Sequence, residues 1–482
     1  MREQELLSQR SFHELDQKRF AEISGDSNPM HVDAVVARRT EAGAPIVHGI
    51  HLLLWVLECL ACTRPNLPPL RTLRVRFDKF VHVGQLVAAN LVQINASGAH
   101  AVVCIGKVLF SQIQITFGEA KEHGGNLPET FNTVHVPSAA LELMLDEIAD
   151  RSGKLIFSIP AEIIAAMFPA VTAWLSSRRV AALAASSTLV GMVCPGLHSI
   201  YSALSLDTRE PIATDDALYF GPAVVDPRFR FVRYHAHGGG WAGTIDSFVR
   251  MPPQVQPNIQ ALKGLVAEDA FAGSIVLVVG GSRGLGELTA KLTALGGARV
   301  IVTYSVGEAD AKRVAQEITN AGGTCEVLRF DVRKPVDEQL AALAEAPTHV
   351  YYFATPKIFR SGAAIFNTVR FNEFLDIYVA GFWRLAQSLI RCRPDVSIFY
   401  PSTVSVQERP RQMTEYAMAK IAGEVLCADM NVSIPPIRVT VNRLPRLLTD
   451  QTATVTPVST ASSIDILLPI VIDIQSSLRR EI

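Results

Sequence analysis

The loop Ser24–Asp33, SGDSNPMHVD, sets Asp26, Asn28 and His31 within six residues, in a turn shaped by Gly25 and Pro29. A carboxylate and an imidazole this close can share one water. One removes its proton, and the other returns a proton to carbon or to a leaving hydroxyl. The same residues also suit an ordinary capped turn. PIVHG then brings His48 and Gly49 to the start of an apolar helix, where the Gly49 amide can bind an oxygen that gains negative charge.

A second grouping lies in VVGGSRGLG, with Gly280, Ser282, Arg283, Gly284, Leu285 and Gly286 between an apolar strand and a helix. Glycines there let the backbone approach a pyrophosphate, which the first amides of the helix hold. The next strand ends Thr303-Tyr304-Ser305, with no Asp or Glu for a ribose 2′-hydroxyl. Arg283 is available for a 2′-phosphate instead, which favours NADP (NADPH) over NAD. Tyr416 and Lys420 stand one helical turn apart in YAMAK. An ammonium beside a phenol stabilises the tyrosinate, so Tyr416 becomes a proton donor or acceptor near neutral pH.

The elements that must position these groups fall into three segments. Residues 1–125 hold a polar helix, the Gly/Asn/Pro loop, an apolar helix from about Gly49, and alternating strands over Thr72–Phe80, Gln85–Ile94 and Ala101–Phe110. Residues 116–135 read as a linker. Residues 126–255 repeat the programme, with Gly196 and His198 matching Gly49 and His51 at an offset of 147, then an apolar helix and strands over Ala217–Val225, Arg228–His235 and Trp241–Arg250. Residues 256–482 alternate buried strands and helices, including Cys325–Phe330, His349–Phe353 and Ser397–Tyr400. That alternation implies a doubly wound parallel sheet.

The run FAEISGDSNPMHVDAVVA, with IVHGI after it, resembles the (R)-specific enoyl-CoA hydratases and MaoC-like dehydratases over most of the first 120 residues. The resemblance implies a hot-dog fold, in which an antiparallel sheet wraps a long helix. It implies that Asp26 and His31 are the catalytic pair, that Asn28 supports them, and that Gly49 supplies the oxyanion amide. The reaction implied is syn addition or loss of water on a 2-enoyl or (3R)-hydroxyacyl thioester. Residues 126–255 lack the GDxNPxxH pattern, and Pro195 stands at the counterpart of His48, so this half resembles the structural half of a double hot dog.

Residues 271 to about 450 resemble the short-chain dehydrogenase/reductase family. That implies a Ser or Thr that orients the carbonyl, a role open to both Ser402 and Thr403. It implies an adenine contact at Asp331-Val332, and a loop near the nicotinamide at Pro445 and Thr449. The sequence departs from the family at Val279, at Phe353-Ala-Thr-Pro356 (where the family has Asn-Asn-Ala-Gly), at Tyr378 (where many members keep an Asn) and at Arg446. These departures bear on the proton relay.

Composition narrows the alternatives. The 482 residues are 49% hydrophobic and 19% charged, a balance that excludes a disordered chain. Forty-five basic against 46 acidic residues give a net charge of −1, which argues against nucleic acid as a partner. Seven dispersed cysteines fit a reducing compartment, and Cys59 and Cys62 read as buried thiols with no metal role. Val180–Leu206 carries no charge, yet its Ser, Thr, Pro and Gly residues favour a buried core helix over a membrane span. His235 and His237 read as exposed or turn-adjacent. The charged N-terminus and the C-terminal LRREI show no targeting signal, so a cytoplasmic protein is expected.

The expected architecture is an α+β double hot-dog domain followed by an α/β doubly wound Rossmann domain. The two resemblances share a 3-hydroxyacyl intermediate. The expected function is a bifunctional enzyme on acyl-CoA or acyl-carrier-protein thioesters, in fatty-acid or polyketide-type metabolism, paired as a homodimer. Two alternatives stay open: a monofunctional dehydratase with an inert NADP-binding domain, and a non-enzymatic NADP-sensing or scaffolding subunit.

Overall fold

The computed structural model describes residues 4–122, 131–212, 216–358, 365–452 and 460–479. The chain divides into two compact units, one running to Pro252 and the other beginning at Pro253.

The first unit is built on one twelve-stranded sheet. Its first half runs Glu5–Ser11, Leu86–Asn95, Gly98–Ile105, Val108–Phe117 and Leu70–Phe77 in spatial order. There Leu70–Phe77 pairs antiparallel with Ser199–Glu210, and the order mirrors itself through Trp241–Val249, Phe231–Gly238, Ala217–Asp226 and Gly153–Ile156. The helix Gly49–Thr63 is apolar nearly all round, and Ile50 to Leu57 are buried against the first half. Such a helix has no solvent face and must lie inside the sheet. Ser177–Thr188 is its counterpart in the second half, extended by a widened turn Leu189–Val193.

The repeat is therefore real in topology, but its expected alignment is corrected. The second apolar helix precedes Gly196. It does not follow it. Pro195 lacks a backbone donor and Gly196 takes φ +80, so the chain turns there into the strand that starts at Ser199. The uncharged run Val180–Leu206 is thus a helix and a strand, and among the described residues no helix is long and apolar enough to cross a membrane. The expected strand Ala101–Phe110 is two strands of a hairpin, Gly98–Ile105 and Val108–Phe117, turning at Gly106 (φ +57). An N-terminal strand, Glu5–Ser11, was not expected at all. Residues 123–130 of the expected linker lie outside the described residues.

The second unit carries six parallel strands in the order Thr324–Arg329, Arg299–Tyr304, Ile275–Val279, His349–Tyr352, Ser397–Thr403 and Arg438–Leu444. The chain reverses direction across the sheet between the first and fourth strands in sequence, which creates the crevice where doubly wound folds bind ligands. Ile275–Val279 is buried along its whole length, as a strand covered on both faces must be.

Candidate active sites

The acid–base loop starts where Gly25 ends the helix Glu14–Ser24 in a left-handed conformation, φ 84. That turn drives Asp26 inward, to 2% exposure. Both carboxylate oxygens accept hydrogen bonds, Oδ1 from the Asn28 amide at 3.2 Å and Oδ2 from the Ser187 hydroxyl at 2.7 Å. Burial pushes the Asp26 carboxyl above its ordinary range, opposed by His31 and by these two donors. Asn28 caps the short helix Pro29–Val32 by accepting from Met30, and that helix presents His31. His31 Nδ1 faces the Ile46 carbonyl at 2.9 Å, so it must donate there, which leaves Nε2 with a free lone pair. Burial holds the His31 imidazole below its ordinary range, opposed by Asp26.

His48 completes the cluster. Its ring stacks on His31 at 3.8 Å between centroids, its Nε2 donates to the Asp26 carbonyl at 3.0 Å, and its Nδ1 meets Gln17 Oε1 at 3.0 Å. Ligand-type atoms of Asp26, His31 and His48 all lie within 4.8 Å of one another. The Asp26 carbonyl takes His48 Nε2 and the Gln17 side chain covers Nδ1, so His31 Nε2 and the Asp26 carboxylate are the groups of this cluster left open. Two donor groups fall short of the three a catalytic zinc takes from protein, and they suit proton transfer through a water. Gly49 opens the long helix, where the first amides have no partner within the helix. A side chain at Gly49 would meet the Phe77 ring at 3.2 Å. His51, by contrast, packs against Phe12 and Phe20 and is held neutral by burial, down to about 3.

The second half does more than complete the sheet. Ser187 reaches Asp26 from the helix Ser177–Thr188, and Thr188 donates to the Ser24 carbonyl. Asn28 Nδ2 donates to the Gly191 carbonyl at 2.8 Å. A Cβ at Gly191 would stand 2.3 Å from Asp26 Oδ1, so only glycine lets the carboxylate sit there. None of Ser187, Gly191, Gln17 or His48 had been assigned a role from sequence. Ser187→Ala removes a donor that favours the carboxylate, so the Asp26 pKa should rise further and the acid limb of the rate profile move to higher pH. We expect roughly a tenfold loss of hydration near neutral pH, from a bond of about 1.5 kcal/mol to a charged group. A pH–rate profile superimposable on the parent's would refute this role.

Cys62 is exposed and Cys59 half-buried near the C-terminal end of the Gly49–Thr63 helix, which corrects the expected buried pair. His235 is exposed, and His237 is half-buried and stacks on Tyr219 at 4.8 Å.

In the second unit the glycine loop is shaped for a nucleotide. Gly280 takes φ +80, and a Cβ there would stand 3.0 Å from the Phe353 backbone, while a Cβ at Gly286 would strike the Gly280 carbonyl at 2.3 Å. Gly284 takes φ +59 with open space around it and starts the helix Gly284–Leu295, whose first amides, from Gly284 to Gly286, are free to hold a pyrophosphate. Ser282 is buried and Leu285 half-buried. Thr303 uses its hydroxyl to accept from the Gly280 amide at 3.0 Å. Arg283 Nη1 is paired with Asp450 at 2.9 Å, so a 2′-phosphate would compete with that carboxylate. Asp331 is clamped by Arg333 through two bonds of 2.9 Å, and Val332 is buried behind it. Thr449 lies in the loop after the last strand, its amide donating to Thr452 at 2.8 Å.

Tyr416 and Lys420 share the helix Thr414–Ser433. Thr403 is the hydroxyl that bonds Tyr416. Ser402 instead donates to Glu424, two turns further along the same helix, which Arg443 also holds. The expected lowering of the tyrosine is not found. Burial pushes Tyr416 up to about 12, opposed only by Thr403. The reason is geometric: Lys420 Nζ donates to the Pro401 carbonyl at 2.6 Å and lies against the ring faces of Tyr378 and Tyr400.

The two units thus define a hot-dog fold with a buried Asp/His loop and a Rossmann fold with a glycine loop and a Tyr/Lys helix. Residues 2–107 match the family described as MaoC like domain, and residues 274–461 match short chain dehydrogenase. The chain thus carries a MaoC-like domain in its N-terminal part and a short-chain dehydrogenase domain in its C-terminal part. These are domains of hydratases/dehydratases and of oxidoreductases. The second part is 27% identical over 183 residues to a tetrahydroxynaphthalene reductase of Pestalotiopsis fici, covering 36% of this chain and 65% of that protein, less than two thirds of its length. It is 26% identical over 202 residues to the mitochondrial (−)-isopiperitenol/(−)-carveol dehydrogenase of Mentha piperita, covering 38% and 74%. Among solved structures, a short chain dehydrogenase of Shigella flexneri complexed with NADP is similar at 20% identity, with TM-score 0.39, covering 43% of this chain and 93% of that one.

Proposed function

We propose that the protein is a bifunctional enzyme of acyl-thioester metabolism: an NADPH-dependent 3-ketoacyl reductase and a (3R)-hydroxyacyl dehydratase/2-enoyl hydratase. The observation that carries the reading is the buried Asp26 carboxylate, held by Asn28 and Ser187 beside a His31 whose Nε2 lone pair is free. In the hydration direction, a water donates to Asp26 and to His31 Nε2, with its oxygen turned to the β-carbon. Its O–H fragment adds there, and its other proton passes through the pair to the α-carbon on the same face. The Gly49 amide takes the charge that develops on the thioester oxygen. The substrate is an acyl-CoA or an acyl-carrier-protein thioester, the chain works as a cytoplasmic homodimer, and its setting is fatty-acid or polyketide-type metabolism.

When bound, NADPH supplies hydride to the ketone. Gly280, Ser282, Gly284, Leu285 and Gly286 would hold its pyrophosphate, Arg283 its 2′-phosphate, and Asp331, Val332 and Thr449 its two ends. Thr403 orients the carbonyl, and Tyr416 gives it a proton. If Arg283 serves the 2′-phosphate, Asp450→Asn should remove the competing charge and lower the NADPH KM about three- to tenfold while leaving that for NADH unchanged, the worth of one charged bond. Equal effects on both cofactors would remove Arg283 from this role.

The turned-away Lys420 favours a second reading, a dehydratase with an inert NADP-binding domain. One experiment separates the two. Purified protein is given NADPH and acetoacetyl-CoA, and products are followed by mass spectrometry. Crotonyl-CoA with NADPH consumed is the result expected. Hydration of added crotonyl-CoA without NADPH consumption would leave only the second reading.

A further inference from the structure

Two departures from the short-chain dehydrogenase pattern, Thr355 and Tyr378, meet each other in the fold. Tyr378 lies on the widened turn Asp376–Gly381 and is 1% exposed. Burial keeps its phenol protonated, so its hydroxyl donates to Thr355 Oγ1 at 2.5 Å, and Thr355 donates onward to the Pro356 carbonyl at 3.1 Å. The ring so anchored has its face 3.9 Å from Lys420 Nζ, and the Tyr400 ring lies 4.9 Å from the same nitrogen. Tyr400 fits beneath the helix because residue 423 is glycine, where a Cβ would stand 2.0 Å from the Tyr400 hydroxyl.

Among the described residues the ammonium has one oxygen acceptor, the Pro401 carbonyl. The nearest carboxylate, Glu424, is taken by Ser402 and Arg443. A lysine buried this way loses its proton readily, and burial brings Lys420 down to about 7. Aromatic faces oppose that loss, because a desolvated cation on a ring face is favoured by tenfold or more.

We propose that Tyr378 is the positioning residue for Lys420: its ring face holds the ammonium charged against the Pro401 carbonyl, and its hydroxyl ties that ring through Thr355 to the loop packed on Gly280. The device stands where the family pattern has an Asn at one position and an Ala at the other. The proposal rests on the reading of this unit as a reductase. The remaining titratable groups around Lys420 are Glu424 and Cys427 on its own helix, Tyr416, and Tyr400 on the strand Ser397–Thr403, and the variants below leave all of them in place.

The test needs neither substrate nor cofactor. Trace acetylation of the full chain across a pH series, read at the Lys420 peptide by mass spectrometry, gives the titration of that lysine. Tyr378→Phe keeps the ring face but loses the tie to Thr355, so its titration should move less than that of Tyr378→Leu. Tyr378→Leu removes it and should titrate at least one pH unit lower, a tenfold rise in neutral lysine at a given pH. Tyr378→Asn serves the same purpose where the leucine variant fails to fold. In an active protein, NADPH oxidation that needs the ammonium is lost as pH rises through the Lys420 pKa, so Tyr378→Leu should lose it at lower pH. Identical titrations in all variants, or a shift in Tyr378→Phe as large as in Tyr378→Leu, would overturn the proposal. A parent that never oxidises NADPH, but whose lysine titration moves as described, sinks the reductase reading and leaves the role of Tyr378 standing.

Discussion

Asp26→Asn should lower the rate of crotonyl-CoA hydration by roughly 10²- to 10⁴-fold, the usual range for removing a positioned acid–base group. The substitution is nearly isosteric, so the fit against Gly191 is kept; the Asn28 amide still finds an oxygen, and the Ser187 hydroxyl can turn to accept from the new NH2. What disappears is the negative charge that receives a proton from water. NADPH oxidation by the same protein should be unchanged, which guards against a trivial loss of fold. Hydration within a few-fold of the parent would remove Asp26 from the chemistry and leave the loop as a capped turn.

Tyr416→Phe should be the most damaging change in the second unit, again by roughly 10²- to 10⁴-fold in NADPH-dependent ketone reduction. The ring packs edge-on against Phe374 and Tyr378, both at 5.7 Å, and phenylalanine preserves those contacts. Only the hydroxyl bonded to Thr403 is lost. NADPH binding, followed by its fluorescence, should persist. Undiminished reduction would mean that another group, or a water, delivers the proton.

The candidate residues that were legible in the sequence are those whose geometry is local. Asp26, Asn28 and His31 sit on one loop, and Gly25 and Pro29 fix its turns within a few residues. Gly49 was legible because a helix start leaves amides unpaired whatever surrounds it. Ser187 was not, because it meets Asp26 across 161 residues and belongs to a helix whose sequence has no mark of chemistry. Thr403 and Ser402 illustrate a different limit. Both stand at the end of one strand and meet the same helix, Thr403 at Tyr416 and Ser402 at Glu424, and which meets which depends on the sheet's packing. The misplaced second helix has its own cause. Helix and strand within Val180–Leu206 are both buried, so hydrophobic periodicity cannot find the break between them. Pro195 and Gly196 did mark it. Lys420 shows where spacing misleads: one turn of helix brings it near Tyr416, yet its four-carbon stem lets the charge settle elsewhere.

The Asp26 loop and the Ser187 helix that holds it come from the two halves of one sheet, joined at Leu70–Phe77 and Ser199–Glu210. Were those halves separate polypeptides, the acid–base site would assemble by mass action and fall apart on dilution. Joined in one chain, each half meets the other at a fixed effective concentration. Bringing Asp26 and Ser187 together therefore needs no second chain.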